Sequence, residues 1–253
     1  MPPPPLPFFD DNYLWWLPGT HGPLLIDPGD AAPALAKFAA HAALSGILLT
    51  HHHDDHIGGV PALLDRWPDT PVIAPHDARI ALATRRVNDG EDILIGGHQF
   101  RVIAVPGHTR SHIAYYGEGL LFCGDALFSL GCGRMFEGDA ATMLASLERL
   151  AALPEATRLC CAHEYTVANA AFAAQVMPNN SALAERRQEA ERQRAAGIAT
   201  LPTTLASERA CNPFLRVDDD EVRATLTAHY REVPGNRIDA FARLRRWKDG
   251  FRA

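Results

Sequence analysis

Lysine is almost missing from this chain: Lys37 and Lys248 are the only two, against 22 arginines. Cysteine is sparse and poorly arranged as well. Cys123, Cys132, Cys160, Cys161 and Cys211 are odd in number, and no pair has the C-x-x-C spacing of a zinc knuckle or redox dithiol. Free thiols in a reducing compartment are therefore expected. No apolar run approaches the ~20 residues of a membrane-spanning helix. The opening Met1-Pro2-Pro3-Pro4-Pro5 reads as a short stiff extended lead, with no basic region and no long apolar stretch, so it is no secretory signal. A cytoplasmic protein with no membrane partner is the expectation. Positive charge is also in deficit, at a net −6. Nucleic-acid binding needs a clustered positive face, so a nucleic-acid partner is not expected. No internal repeat is visible.

What remains is ordinary for a soluble globular protein: 253 residues, 47% hydrophobic and 21% charged. That length can bury a real core in one large domain or two unequal ones. The charge is unevenly spread. Residues 1–165 carry −9 and residues 166–253 carry +3. Bound divalent metals would offset the acidic part, and the basic part suits an anionic ligand.

The chemistry concentrates in Thr50-His51-His52-His53-Asp54-Asp55-His56-Ile57-Gly58-Gly59, directly after the apolar run Ile47-Leu48-Leu49. That run reads as a buried strand, which puts the cluster on a loop at a strand end. A purification tag would be terminal and homopolymeric, and this stretch is neither. His51, His53, Asp55 and His56 place imidazoles and a carboxylate together. Imidazole suits zinc, iron and other late first-row ions, and carboxylate can share an ion with it. His52 is expected on the opposite side of an extended chain, as a non-ligand. Three more candidates also follow strand readings. His108 comes after Phe100 to Val105 and the turn Pro106-Gly107, Asp125 after Leu120 to Cys123 and Gly124, and His163 after Leu159 to Ala162. Strand ends of one scaffold can converge on one point. Seven ligands are too many for one tetrahedral zinc but suit two ions bridged by a carboxylate and a hydroxide. His112 is expected to support the ligands rather than to be one.

Asn12 to Leu17 and Leu24 to Asp27 read as a hairpin across Pro18-Gly19. Helices are expected over Ala31 to His41, Ile57 to Trp67 and Thr142 to Leu153, with short strands at Val72 to Ala74, Ile93 to Ile95 and Ile113 to Tyr116 among others. From Tyr165 onward the pattern predicts helices only: Ala168 to Met177, Ala182 to Ala196 capped by Ser181, a helix from Asp218-Asp219-Asp220 through Tyr230, and Asn236 to Trp247. Arg186, Arg187, Arg192 and Arg194, interleaved with Glu185, Glu189 and Glu191, read as a solvated salt-bridged face. The boundary between a mixed α/β domain (1–165) and a helical domain (166–253) falls near residue 165.

The H-x-H-x-D-H element formed by His51, His53, Asp55 and His56, followed in order by His108, Asp125 and His163, resembles the metallo-β-lactamase superfamily. Further motifs are similar to its glyoxalase II (hydroxyacylglutathione hydrolase) branch. These are Phe9-Asp10-Asp11-Asn12-Tyr13, Gly131-Cys132-Gly133-Arg134-Met135-Phe136-Glu137-Gly138 and Cys161-Ala162-His163-Glu164-Tyr165, together with the helical tail. The resemblance covers nearly the whole chain. It implies an αββα sandwich with two mixed sheets followed by a smaller C-terminal α-helical domain that helps bind glutathione. It also implies two divalent metal ions, with zinc the usual assignment and iron or manganese occurring in the family. His51, His53 and His108 would hold one ion and Asp55, His56 and His163 the other, with Asp125 bridging.

The implied activity is a thioesterase of S-D-lactoylglutathione, the second step of methylglyoxal detoxification. Asp55 and Asp125, with the bridging hydroxide, would be the catalytic groups. Substrate would meet Arg134, Phe136, Tyr165, Arg245 and Lys248. Some members carry Lys and Tyr where this chain has Arg134 and Phe136; a phenyl ring donates no hydrogen bond, so Tyr165 would supply that contact. Asp54 is unusual beside a ligand and either faces solvent or adds negative field. The expected partner is a small-molecule glutathione thioester, bound by a monomer. Two rivals are a one-iron glutathione persulfide dioxygenase and a nuclease. The first should lack His56, His163 and most of the helical tail, and the second needs a basic groove.

Overall fold

The computed structural model of the chain describes residues 3–252. Of the proline-rich lead, Met1 and Pro2 lie outside the described residues. The elements begin with Leu6–Phe8 (β1), Asn12–Leu17 (β2), Leu24–Ile26 (β3), Ala32–Lys37 (α1), Gly46–Leu48 (β4), Asp54–Ile57 (α2), Val60–Arg66 (α3), Val72–Pro75 (β5) and Arg85–Val87 (β6). Asp92–Ile95 (β7), His98–Ala104 (β8), Ile113–Gly117 (β9), Leu120–Gly124 (β10), Leu127–Phe128 (β11), Gly131–Cys132 (β12), Ala140–Ala151 (α4) and Arg158–Cys161 (β13) follow. The chain closes with Thr166–Val176 (α5), Ser181–Ala195 (α6), Thr203–Thr204 (β14), Leu205–Cys211 (α7), a 3-10 turn at Pro213–Leu215, Asp220–Tyr230 (α8) and Arg237–Gly250 (α9).

Two compact units emerge. The first takes the chain up to Val105 with Ser111–Gly124 and Cys160–His163, and the second takes Pro106–Arg110, Asp125–Leu159 and everything from Glu164.

In the first unit one sheet runs β1-β2-β3-β4-β5-β6. Its first three strands are antiparallel and the rest parallel. Strands β3, β4 and β5 are unbroken apolar runs, as parallel strands covered on both faces must be. Ala34 and Phe38, with Val60, Leu63 and Trp67 around α3, pack on Leu25, Ile47, Val72 and Ala74 to cover one face. A second sheet runs β7-β8-β9-β10-β13-β14, and its strands β9 and β10 pack on the other face. Trp15 meets Phe122 edge-on at 6.3 Å, and Tyr115, fully buried, donates to the carbonyls of Leu49 (2.9 Å) and Ile73 (3.2 Å). A buried phenol needs such a partner, so this contact fixes how the sheets face each other.

In the second unit the core is aromatic. Phe172 of α5 lies 6.2 Å from Phe214 and 5.4 Å from Trp247, and Phe214 lies 5.8 Å from Phe241. Asp219 and Asn236 cap α8 and α9, accepting from Glu221 N (3.0 Å) and Asp239 N (2.9 Å).

Several expectations need correction. The helix expected from Ile57 begins at Asp54 and breaks after Ile57, because Gly59 N donates to the Pro28 carbonyl at 2.9 Å instead of continuing the ladder and Pro61 has no N–H to offer. The helix expected over 31–41 spans only Ala32–Lys37. The C-terminal part is not helical throughout, since Thr203 and Thr204 of β14 pair with Leu159 and Arg158. Asn180, not Ser181, caps α6 by accepting from Leu183 N at 2.9 Å. Arg187 does form the expected exposed pair with Glu191 at 2.8 Å. Arg186 does not belong to a solvated face: it is buried and donates to the Thr200 carbonyl at 2.9 Å.

Candidate metal centre and substrate residues

Strand β3 is followed directly by Asp27, whose backbone is left-handed at φ 51°. Its carboxylate accepts from Thr50 N (2.8 Å) and Thr50 Oγ1 (2.7 Å) and lies 3.1 Å from His56 Nδ1. So the loop after β4 and the first turn of α2 are tied to one buried carboxylate. His163, just past β13, has Nδ1 2.8 Å from Asp11 Oδ1. Asn12 Nδ2 donates to Asp55 Oδ2 at 3.1 Å. With both Nδ1 atoms facing carboxylates, each imidazole turns its Nε2 inward. His56 Nε2 and His163 Nε2 lie 3.7 and 3.4 Å from Asp55 Oδ2. These groups can offer three donor atoms within 4.8 Å of one another. Two imidazole nitrogens and a carboxylate oxygen converging on one point, with the outward nitrogens already engaged, fit a divalent ion.

His51 and His53 form a second grouping in the same unit, with His51 Nε2 3.1 Å from His53 Nδ1. Thr50 Oγ1 lies 3.1 Å from His51 Nδ1, and His112 stacks on the His51 ring at 4.5 Å. His112 therefore packs on a candidate ligand, in keeping with a supporting role. His52 turns instead to Asp77, 3.5 Å away. Asp77 is clamped by Arg79 (2.9 and 2.8 Å) and by the Ser111 hydroxyl at 2.6 Å. The Arg79 hydrogen bonds hold its carboxyl well below the usual range. Asp54 is exposed.

The remaining two candidates lie in the second unit. His108 Nε2 is 3.5 Å from Asp125 Oδ2, and His108 Nδ1 is 2.8 Å from the Arg134 carbonyl. A carbonyl only accepts, so Nδ1 carries the proton and Nε2 keeps its lone pair.

All five expected substrate residues lie in the second unit as well. Arg134 is exposed, with Nε 3.7 Å from Asp249 Oδ1. Lys248 sits over Phe172 (5.6 Å) and Phe251 (5.8 Å). Burial, with Arg245 and Arg134 nearby, lowers its pKa to about 8. Arg245 is buried; it donates to the Cys132 carbonyl at 2.8 Å and to Asp249 at 2.9 and 3.1 Å. Phe136 is exposed beside His108 at 5.3 Å, and Tyr165 packs edge-on against Phe128 at 5.2 Å.

Sequence reasoning missed Asp11, Asn12, Asp27 and Asp77 as orienting groups. The signal for Asp27 was present, a carboxylate ending an apolar strand before Pro28-Gly29. That for Asp11 was not, because it meets His163 across most of the chain.

The two facing sheets and the candidate ligands at their strand ends define a metallo-β-lactamase fold, and residues 11–163 match the metallo-β-lactamase superfamily. Residues 164–251 match the hydroxyacylglutathione hydrolase C-terminus. A hydroxyacylglutathione hydrolase of Xylella fastidiosa (strain M23) is 53% identical over 248 residues, covering 98% of this chain and 96% of that protein. The chain belongs to the hydroxyacylglutathione hydrolase family. Among solved structures, the BLEG-1 B3 metallo-β-lactamase is 25% identical with a TM-score of 0.64, covering 85% of this chain and 99% of that one. TTHA1623, solved in a di-iron-bound form, is 30% identical with a TM-score of 0.52, covering 64% of this chain and 90% of that one. Family and donor set together make this a divalent-metal protein.

Proposed function

We propose that the chain hydrolyses S-D-lactoylglutathione and related S-2-hydroxyacylglutathiones to glutathione and D-lactate, the second step of methylglyoxal detoxification. The observation that carries this is the pairing, in one chain, of the Asp55-His56-His163 donor set with a basic cluster of Arg134, Arg245 and Lys248. Family membership supports extending the reading to the other candidate ligands. His51, His53 and His108 would hold one ion and Asp55, His56 and His163 the other, with Asp125 available to both, and zinc would be the resident metal. The catalytic domain is residues 1–165 and the glutathione-binding domain 166–253, working as a cytoplasmic monomer with no nucleic-acid partner.

When bound, two ions supply a hydroxide at neutral pH, by lowering the pKa of water from about 15.7 towards about 7, and they polarise the thioester carbonyl. The protein's own groups do the orienting. Asp11 and Asp27 hold the outward nitrogens of His163 and His56, and Asp55 and Asp125 contribute the carboxylate ligands. Arg134 and Lys248 present positive charge to the glycyl carboxylate of glutathione. Arg245 steadies that cluster from below, through Asp249 and the Cys132 carbonyl. Phe136 supplies an apolar face, and Tyr165 the phenol. The leaving thiolate has a pKa of about 8.5, judged from free cysteine, and departs without a dedicated acid.

Metal-replete protein, S-D-lactoylglutathione and a thiol reagent test the reading. Thiol release with two zinc ions per chain is expected, and no release would overturn it. One iron per chain with oxygen uptake would favour the dioxygenase rival.

A further inference from the structure

Between Asp125 and Arg134 the chain makes the hairpin β11–β12, with Leu127 opposite Cys132 and Phe128 opposite Gly131. Its tip cannot satisfy itself. Leu130 takes a left-handed backbone at φ 59°, uncommon for any residue but glycine, and its side chain is fully buried. The polar backbone groups of the tip are met by buried side chains from the helices. Leu130 N donates to Glu208 of α7 at 2.7 Å. Asn212, just past α7, donates through Nδ2 to the carbonyls of Phe128 (3.1 Å) and Gly131 (3.0 Å) and to Glu208 (3.1 Å). Asn169 of α5 donates to the Ser129 carbonyl at 3.0 Å. Glu208 and Asn212 are completely buried and Asn169 is 4% exposed, so water competes for none of these bonds. The fit is close: a Cβ on Gly131 would meet Asn169 Nδ2 at 2.5 Å.

The base of the hairpin reaches the ligands. Gly133 N donates to the Ala126 carbonyl at 3.2 Å. A Cβ on Gly133 would strike the Asp125 carbonyl at 1.9 Å and lie 3.2 Å from His108 Nδ1. The next residue, Arg134, gives His108 Nδ1 its carbonyl partner. One hairpin thus sets the backbone of Asp125 and the ring orientation of His108.

We propose that the C-terminal helices act on the metals as well as on glutathione: Asn169, Glu208 and Asn212 are positioning residues that hold the 127–132 hairpin so that Asp125 and His108 stay in ligating geometry. This rests on the two-metal reading above. Loosening the tip lowers affinity for zinc where Asp125 and His108 contribute, and leaves the set of Asp55, His56 and His163 intact.

The test uses the full chain loaded with zinc and a chromophoric chelator as competitor. Asn212→Asp keeps the size of the side chain and removes all three donations. It is expected to weaken binding of one of the two ions by about 10-fold or more, the usual loss when a group behind a ligand is removed, and to lower kcat more than it raises KM. Glu208→Gln keeps an acceptor for Leu130 N and should bind both ions nearly as the parent does. If Asn212→Asp does not fold by circular dichroism, Asn169→Asp, which removes a single bond, is read instead, with a smaller loss confined to one ion expected. An Asn212→Asp or Asn169→Asp protein that folds and binds both ions with parental affinity, changing KM alone, would overturn the proposal. Failure of the underlying reading shows elsewhere, as a parent protein that binds fewer than two ions or releases no thiol.

Discussion

The two units orient their candidate ligands by different means. In the first, His56 and His163 are each backed by a carboxylate, Asp27 and Asp11. In the second, His108 is backed by a backbone carbonyl and steadied by a hairpin with no room for side chains at Gly131 or Gly133. A carboxylate partner fixes the imidazole and also raises its basicity. A carbonyl partner fixes it without adding charge. The first unit therefore depends on single acidic side chains, and the second on the shape of a backbone segment. Point substitutions should expose this difference.

The largest effect is expected from Asp27→Ala. Two donors lose their acceptor at once, Thr50 N and Thr50 Oγ1, and His56 Nδ1 loses the carboxylate 3.1 Å away, all buried. Each stranded donor costs about 1–3 kcal/mol. Urea unfolding of the metal-free protein should show a loss of several kcal/mol, and zinc content should drop. A variant as stable as the parent would refute the view that one carboxylate organises this loop.

Asp11→Asn comes next and separates charge from geometry. The amide oxygen can still accept from His163 Nδ1, so the ring stays in place while the charge is lost. Zinc affinity is expected to fall about 10-fold, the lower end for a partner behind a ligand, with the unfolding midpoint little changed. An unchanged affinity would mean that position alone matters, and the two units would then work alike.

Much of this was legible in the sequence and some was not, for physical reasons. Candidate ligands showed themselves because donor residues directly follow apolar runs, and such runs become strands whose ends collect function. Helix caps at Asp219 and Asn236 are local signals, though at α6 the same rule chose Ser181 over its neighbour Asn180. Strands β1, β6, β11, β12 and β14 are two or three residues long, too short to show a period. Arg186 matched its exposed neighbours in spacing; only the tertiary fold buries it against Thr200. The partnership of Asp11 with His163 joins residues 152 positions apart, which no window can register.

In the second unit the charge to be tested is the one proposed to meet the substrate. Lys248 has a pKa of about 8, lowered by burial, Arg245 and Arg134 against the opposing pull of Asp249 and Cys132. An ammonium is charged below its pKa, so attraction for a carboxylate is full below about 8 and fades as pH rises through it. KM for lactoylglutathione should therefore climb above about pH 8 while kcat changes less. Lys248→Met should raise KM roughly 10-fold, a loss of about 1.4 kcal/mol, and flatten that rise. A pH profile of KM that Lys248→Met leaves unchanged would place the charge elsewhere.

The smallest effect is expected at Asp54, which tests whether charge acts on the first unit by contact or through the general field. Asp54 neighbours the candidate ligand Asp55 in sequence but is exposed, in the first turn of α2. Water screens an exposed charge, and at physiological salt its field falls off within about 8 Å. Asp27 and Asp11, by comparison, touch their histidines directly. Asp54→Asn should therefore change zinc affinity by less than about 2-fold at physiological salt. If the change instead approached that of Asp11→Asn, the summed negative field of the loop, rather than two placed carboxylates, would be what favours the ion there. The effect should then also shrink with added salt, which the contact account does not require.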